Sequence, residues 1–184
     1  MHIFNIHPAH SFAFMLLAAG TALAAPAGHE LLFTNAQNAT AITDVDRKAI
    51  YAQYNFKVGA DGKSLLFADA EQCPPLLVGT GDIQVATEDL DGDKRLEVFV
   101  SLGSSCMFGF AGTGVTLFIK DGVGHWQLHN LGAGVYSVEK TRHKGYADLM
   151  IGGPGFCQPV MRWNGSTYEF YRKVAEQPGS CDGQ

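Results

Sequence analysis

Residues 97–106, Glu97-Val98-Phe99-Val100-Ser101-Leu102-Gly103-Ser104-Ser105-Cys106, and residues 148–157, Asp148-Leu149-Met150-Ile151-Gly152-Gly153-Pro154-Gly155-Phe156-Cys157, align without a gap at an offset of 51 residues. Each runs acid, three apolar residues, a small-residue turn, then cysteine. Further on, Leu117-Phe118-Ile119-Lys120-Asp121-Gly122 meets Val160-Met161-Arg162-Trp163-Asn164-Gly165 once a few loop residues are dropped, and an aromatic follows each turn, Trp126 and Tyr168. Self-similarity at a fixed period reads as a repeated supersecondary unit, here strand, loop and hairpin over about 80–130 and about 131–174.

Short apolar runs broken by Asp61-Gly62, Asp121-Gly122 and Asn164-Gly165 extend the β pattern. These pairs tolerate the positive φ that both central residues of a type I′ hairpin turn require. One helix is expected, over Thr43–Tyr54. Thr43 or Asp44 caps it, Asp46 sits in the first turn, and Val45, Ala49, Ile50 and Tyr54 recur at near-helical spacing. The expected fold is mainly β with one N-terminal helix (α+β), stapled by disulfides. Two units cannot close a propeller of four or more blades, so the arrangement is expected to be open or partial-propeller-like.

Composition narrows the function. The 13 Lys and Arg against 18 Asp and Glu give a net charge of −5, with no basic tail, which argues against nucleic acid or an anionic membrane as partner. At 46% hydrophobic residues spread along the chain, the sequence is not that of a disordered protein. Ser11 to Ala24 has the length of a secretory apolar segment and ends in Ala22-Leu23-Ala24, a small-x-small cleavage pattern. It is shorter than the roughly 20 residues that span a bilayer. The preceding residues carry no Lys or Arg, only His2, His7 and His10. Residues 1–24 are read as a cleaved signal peptide, leaving one β-rich domain, 25–184, in the periplasm or outside the cell.

The four cysteines Cys73, Cys106, Cys157 and Cys181 are an even count, which in an exported chain implies two disulfides. Three pairings exist; Cys73 with Cys106 and Cys157 with Cys181 is favoured because each closes a short local loop. No CxxC or histidine spacing supports a thiolate metal site.

The strongest chemical signal is Asp89-Leu90-Asp91-Gly92-Asp93-Lys94-Arg95-Leu96-Glu97. Carboxylates at loop positions 1, 3, 5 and 9 surround one point, Gly92 permits a sharp turn, and Arg95 offers its backbone carbonyl. A hard cation that takes six to eight oxygens at about 2.3–2.6 Å suits this set, Ca²⁺ better than Mg²⁺. The competing reading is a solvated acidic turn. No long helix follows, since Val98–Val100 continues as a strand, so this is not the twelve-residue helix-loop-helix form.

Asp89-Leu90-Asp91-Gly92-Asp93 followed by Glu97-Val98-Phe99-Val100 resembles the calcium loop of FG-GAP or VCBS repeats, and Asp148 to Pro154 is similar to the other half of such a repeat. The run from Gly145 to Gly165 also resembles small exported proteobacterial proteins. The resemblance covers roughly Val85 to Tyr171 and implies a calcium-holding β repeat.

The same offset lays Asp89, Asp91 and Asp93 on Lys140, Arg142 and Lys144, and Gly92 on His143. One calcium site, not two, is therefore expected. The basic set is either a face for an acidic partner or a solvated loop whose cations replace the ion.

No catalytic grouping stands out. His29, His125, His129 and His143 lie in no hydrolase, kinase or zinc-protease motif. Cys106 with His125 is the one imaginable nucleophile and base, and a disulfide would silence it. The glycine-rich Gly109–Gly114 lacks the lysine and helix of a phosphate cradle. The cysteine-tethered stretch Gly103 to Phe110, with Ser104, Ser105 and Phe108, could enter a partner's cleft at reduced ordering cost. Aromatic residues crowd the second unit, either as core or as a carbohydrate- or protein-binding face. The expectation is a non-enzymatic exported Ca²⁺-binding protein that captures or neutralises an envelope protein such as a cell-wall hydrolase, in the manner of an immunity protein or inhibitor. The alternatives are a secreted hydrolase with an unfamiliar site and a carbohydrate-binding module.

Overall fold

The computed structural model describes residues 26–36 and 41–183; the expected signal segment lies outside the described residues. The described residues open with two helices, α1 (Gly28–Leu32) and α2 (Asp44–Tyr51). Thr43 caps α2: its Oγ1 accepts the Asp46 N–H at 3.2 Å and donates to Asp46 Oδ2 at 2.8 Å. The helix stops at Tyr51, short of Tyr54, because the chain tightens into i→i+3 bonds from Gln53 to Ile50 and from Tyr54 to Tyr51. That turn stacks Tyr54 on Phe56 at 4.8 Å. The expectation of a single helix is corrected by α1 and by a third short helix, α3 (Ser105–Phe108), followed by a 3-10 turn over Gly109–Ala111.

Eleven strands among the described residues form three antiparallel sheets. The first joins β1 (Phe56–Val58), β2 (Ser64–Phe67) and β3 (Leu76–Leu77). The second is a meander of β4 (Ile83–Glu88), β5 (Glu97–Gly103), β6 (Thr113–Lys120) and β7 (Trp126–Ala133). The third repeats that plan with β8 (Val135–His143), β9 (Tyr146–Gly152), β10 (Cys157–Trp163) and β11 (Tyr168–Ala175). Glu97 opens the second strand of one meander and Asp148 lies in the second strand of the other. None of the three sheets closes into a barrel.

The middle sheet is buried on both sides, which explains the unbroken apolar run of β5. Ile83, Val85, Val98, Val100 and Phe118 pack toward the helices and first sheet. Phe99, Val115, Leu117 and Ile119 pack against Ala147, Leu149, Ile151, Trp163 and Tyr168 of the third sheet. Strand alternation sends neighbouring residues into two separate cores. At the seam Phe99 stacks on Tyr136, ring centroids 3.7 Å apart.

All three expected hairpins form, but not with the expected turn. Asp61, Asp121 and Asn164 keep negative φ. Each instead uses its side-chain oxygen to receive backbone N–H groups: Lys63 on Asp61, Val123 and His125 on Asp121, Ser166 and Thr167 on Asn164. These are Asx turns, in which the side chain stands in for a backbone acceptor. The two-residue turn with both φ positive is Lys144-Gly145, at 48° and 93°, between paired His143 and Tyr146. Both disulfides are present, Cys73 with Cys106 and Cys157 with Cys181.

Candidate metal centre

The acidic loop runs between β4 and β5, which register Glu88 opposite Glu97. Its carboxylates organise its own backbone. Asp89 receives the N–H groups of Gly92 at 2.7 Å and Lys94 at 3.2 Å, and Asp91 that of Asp93 at 3.0 Å. Gly92 at φ 84° and Lys94 at φ 70° let the chain curl around these acceptors. Asp89, Asp91 and Glu97 each present a carboxylate oxygen within 4.8 Å of the others. Oxygens sharing one Ca²⁺ at about 2.3–2.6 Å lie at most about 5 Å apart, so the donor set fits a hard cation. Those three residues would hold it, and its charge would offset their repulsion.

Asp93 and Arg95, the other two residues of the expected ligand set, are engaged with each other. Asp93 receives the Arg95 backbone N–H at 2.7 Å and its Nε at 2.6 Å. Glu97 is the buried member. Burial pushes its carboxyl up to about 7, the charges of Asp91, Asp93 and Asp89 add to that, and the N–H of Leu90, donated at 2.7 Å, opposes them. Tyr146 borders the loop; burial raises its hydroxyl first, and the nearby Asp91 charge adds to it.

The basic residues Lys140, Arg142 and Lys144 do not form a second copy of this loop, which corrects the expectation. The link between β8 and β9 is only two residues long, so Lys140 and Arg142 fall within a strand. Ahead of β5 and β9 the 51-residue offset has no structural counterpart, since residues 89–96 form the loop before β5 and residues 144–145 the turn before β9. Two of the three cations are used internally: Arg142 Nη1 donates to the carbonyls of Leu90 at 2.6 Å and Gly145 at 3.1 Å, and Lys144 donates to the Asn164 carbonyl. Lys140 is exposed.

The cysteine-tethered loop is also rearranged. Ser104 caps α3 by accepting the Met107 N–H, and Phe108 turns inward against the first core, leaving Ser105 exposed. Phe110, not Phe108, stands wholly in solvent. Cys106 is bridged, so it is no nucleophile. The four histidines are dispersed, His29 bonding Asp44, His129 Thr167 and His143 the Trp163 carbonyl, with His125 near Asp121.

One grouping escaped the sequence reading. Asp148, fully buried, receives Arg162 through Nε at 2.9 Å and Nη2 at 2.6 Å, and the Thr141 hydroxyl at 2.6 Å. The Arg162 guanidinium lies over the Tyr171 ring, 3.3 Å from its centroid. Asp148 was visible as the acid of the repeat; its partner, fourteen residues away on the next strand, had no local signal.

These features define a class: an antiparallel β-meander protein with two disulfides and an acidic inter-strand loop, in which no helix among the described residues is long and apolar enough to cross a membrane. No protein-family model matches the chain, and comparison with curated proteins and with solved structures gives no match.

Proposed function

We propose that this chain is an exported, non-enzymatic Ca²⁺-binding protein of the bacterial envelope, built on two FG-GAP/VCBS-like units. The observation that carries the reading is the convergence of Asp89, Asp91 and Glu97 within 4.8 Å at the foot of β5. Glu97 is buried there against its preference for water, which a bound cation would repay. The two four-stranded meanders of equal plan support the repeat, and two disulfides suit an oxidising compartment.

Its role is to bind a partner protein, in the manner of an immunity protein or inhibitor. The support is the disulfide-tethered loop that holds Phe110 out in solvent, since exposed aromatics of this kind serve as interface anchors. Pull-down from envelope extracts with wild type and Phe110→Ala, run beside a hydrolase panel, tests the role. A partner retained by wild type and lost by the variant supports it; turnover of a hydrolase substrate by the purified protein contradicts it.

A further inference from the structure

A second site adjoins the acidic loop through Tyr146. Between the β6–β7 and β10–β11 hairpins is a cleft of about 350 Å³ bordered by residues of both four-stranded sheets. Ile119, Trp163 and His129 are its buried lining groups and Tyr146 is half-buried, with Trp163 packed 4.7 Å from Tyr146 and 5.5 Å from His129. Its rim carries Asp121, Gln127 and Ser166.

Hydrogen-bonding capacity is left over in this cleft. His129 is nine-tenths buried, and its Nδ1 is engaged by the Thr167 hydroxyl at 3.1 Å. Its Nε2 and the Trp163 indole N–H make no hydrogen bond among the described residues. Gln127 uses its amide nitrogen on Asp121 at 3.1 Å, which keeps its oxygen available. Lys120 and Asp121 contribute one charge of each sign, and Lys120 is already paired with Asp46 at 2.8 Å. A charged ligand gains little from such a balance. An aromatic ligand would cover the Gln127 amide oxygen and His129 Nε2 without giving them partners, which costs free energy for each. A neutral ring with hydroxyls on its edge and C–H groups on its face satisfies both the rim and the aromatic lining.

We propose that this cleft binds one neutral pyranose unit. The volume lies within the range of small-ligand sites. Gln127 and Asp121 meet the hydroxyls from the rim, and His129 and Trp163 meet them from below. The site does not depend on the calcium reading.

The test is NMR titration of the full mature protein with glucose, galactose and N-acetylglucosamine, each up to about 50 mM, enough to saturate a millimolar site. The two tryptophans give two indole N–H signals, assigned with Trp163→Phe. The expected result is a saturable shift of the Trp163 signal with at least one sugar while Trp126 stays put. Gln127→Ala, at an exposed position, is expected to weaken that response about three- to tenfold with an unchanged melting temperature. A Trp163 signal that no sugar moves overturns the proposal, as does a shift indifferent to Gln127→Ala. A response to phenol with none to sugars does so too, since it marks a merely apolar cavity.

Discussion

Arg142 donates from Nη1 to the carbonyl of Leu90 at 2.6 Å, reaching from the third sheet into the acidic loop of the second. The same carbonyl receives the Ala147 N–H at 2.9 Å, while the Leu90 N–H goes to Glu97. One peptide segment is thus fixed between the buried carboxylate and the neighbouring sheet, and Leu90 itself is fully buried. The loop is anchored from outside as well as curled by its own aspartates.

Removing that anchor has a cost that separates Arg142 from its neighbour. Arg142→Met is expected to lose about 1–2 kcal/mol, a charged donor to a backbone carbonyl being worth somewhat more than a neutral one. Lys140→Met, at an exposed position, is expected to stay within about 0.5 kcal/mol. Urea unfolding of the two variants measures the difference.

The Asp148–Arg162 pair gives a pH dependence. The Arg162 hydrogen bond holds the Asp148 carboxyl below its usual range, ahead of the Thr141 bond and the Arg162 charge, and against burial. A carboxyl lowered on folding contributes stability that is present above its unfolded value of about 3.9 and is lost as pH falls through the folded value. Melting temperature is therefore expected to drop more steeply below about pH 4 in wild type than in Asp148→Asn. At neutral pH, Arg162→Met is expected to destabilise the protein more than Lys140→Met does, by leaving the buried Asp148 carboxylate without its cation.

Gly114 on β6 faces the ring of Phe108, where a Cβ would come within 2.2 Å of the ring. Gly114→Ala is expected to lose about 1–3 kcal/mol through this overlap. Adding Phe108→Ala is expected to recover part of that loss, so a double-mutant cycle should show coupling. Strict additivity would mean the ring does not occupy the space.

Local signals carried much of this fold, and long-range ones did not. Apolar alternation and the Asx-Gly pairs located strands and hairpins, because both depend on residues close in the chain. The turn chemistry was misjudged since Asp61, Asp121 and Asn164 could either adopt positive φ or accept backbone N–H groups, and the pattern does not distinguish them. The acidic spacing located Asp89, Asp91 and Glu97, yet nothing in it showed that Asp93 would fold back on Arg95. The basic residues misled for a physical reason: an ungapped offset cannot register that an eight-residue loop in one meander is a two-residue turn in the other. Phe108 and Phe110 are separated by one residue, and only the α3 geometry decides which faces inward.

The disulfides make a further prediction. Cys73 and Cys106 stand 33 residues apart, and closing a loop of that length restricts the unfolded chain by about 4 kcal/mol. The Cys73→Ser, Cys106→Ser double variant is expected to lose an amount of that order, measured by denaturant midpoint at constant slope.

Thermal unfolding in millimolar calcium against excess chelator, on wild type and Asp91→Ala, bears on the acidic loop most directly. Ion at about a hundred times its dissociation constant adds about 2.7 kcal/mol, or roughly 5–10 °C for a chain of this size. That rise is expected for wild type and is expected to vanish in Asp91→Ala. Superimposable wild-type melts with and without calcium would contradict it, leaving Asp89, Asp91 and Glu97 as an acidic turn with no ion to hold.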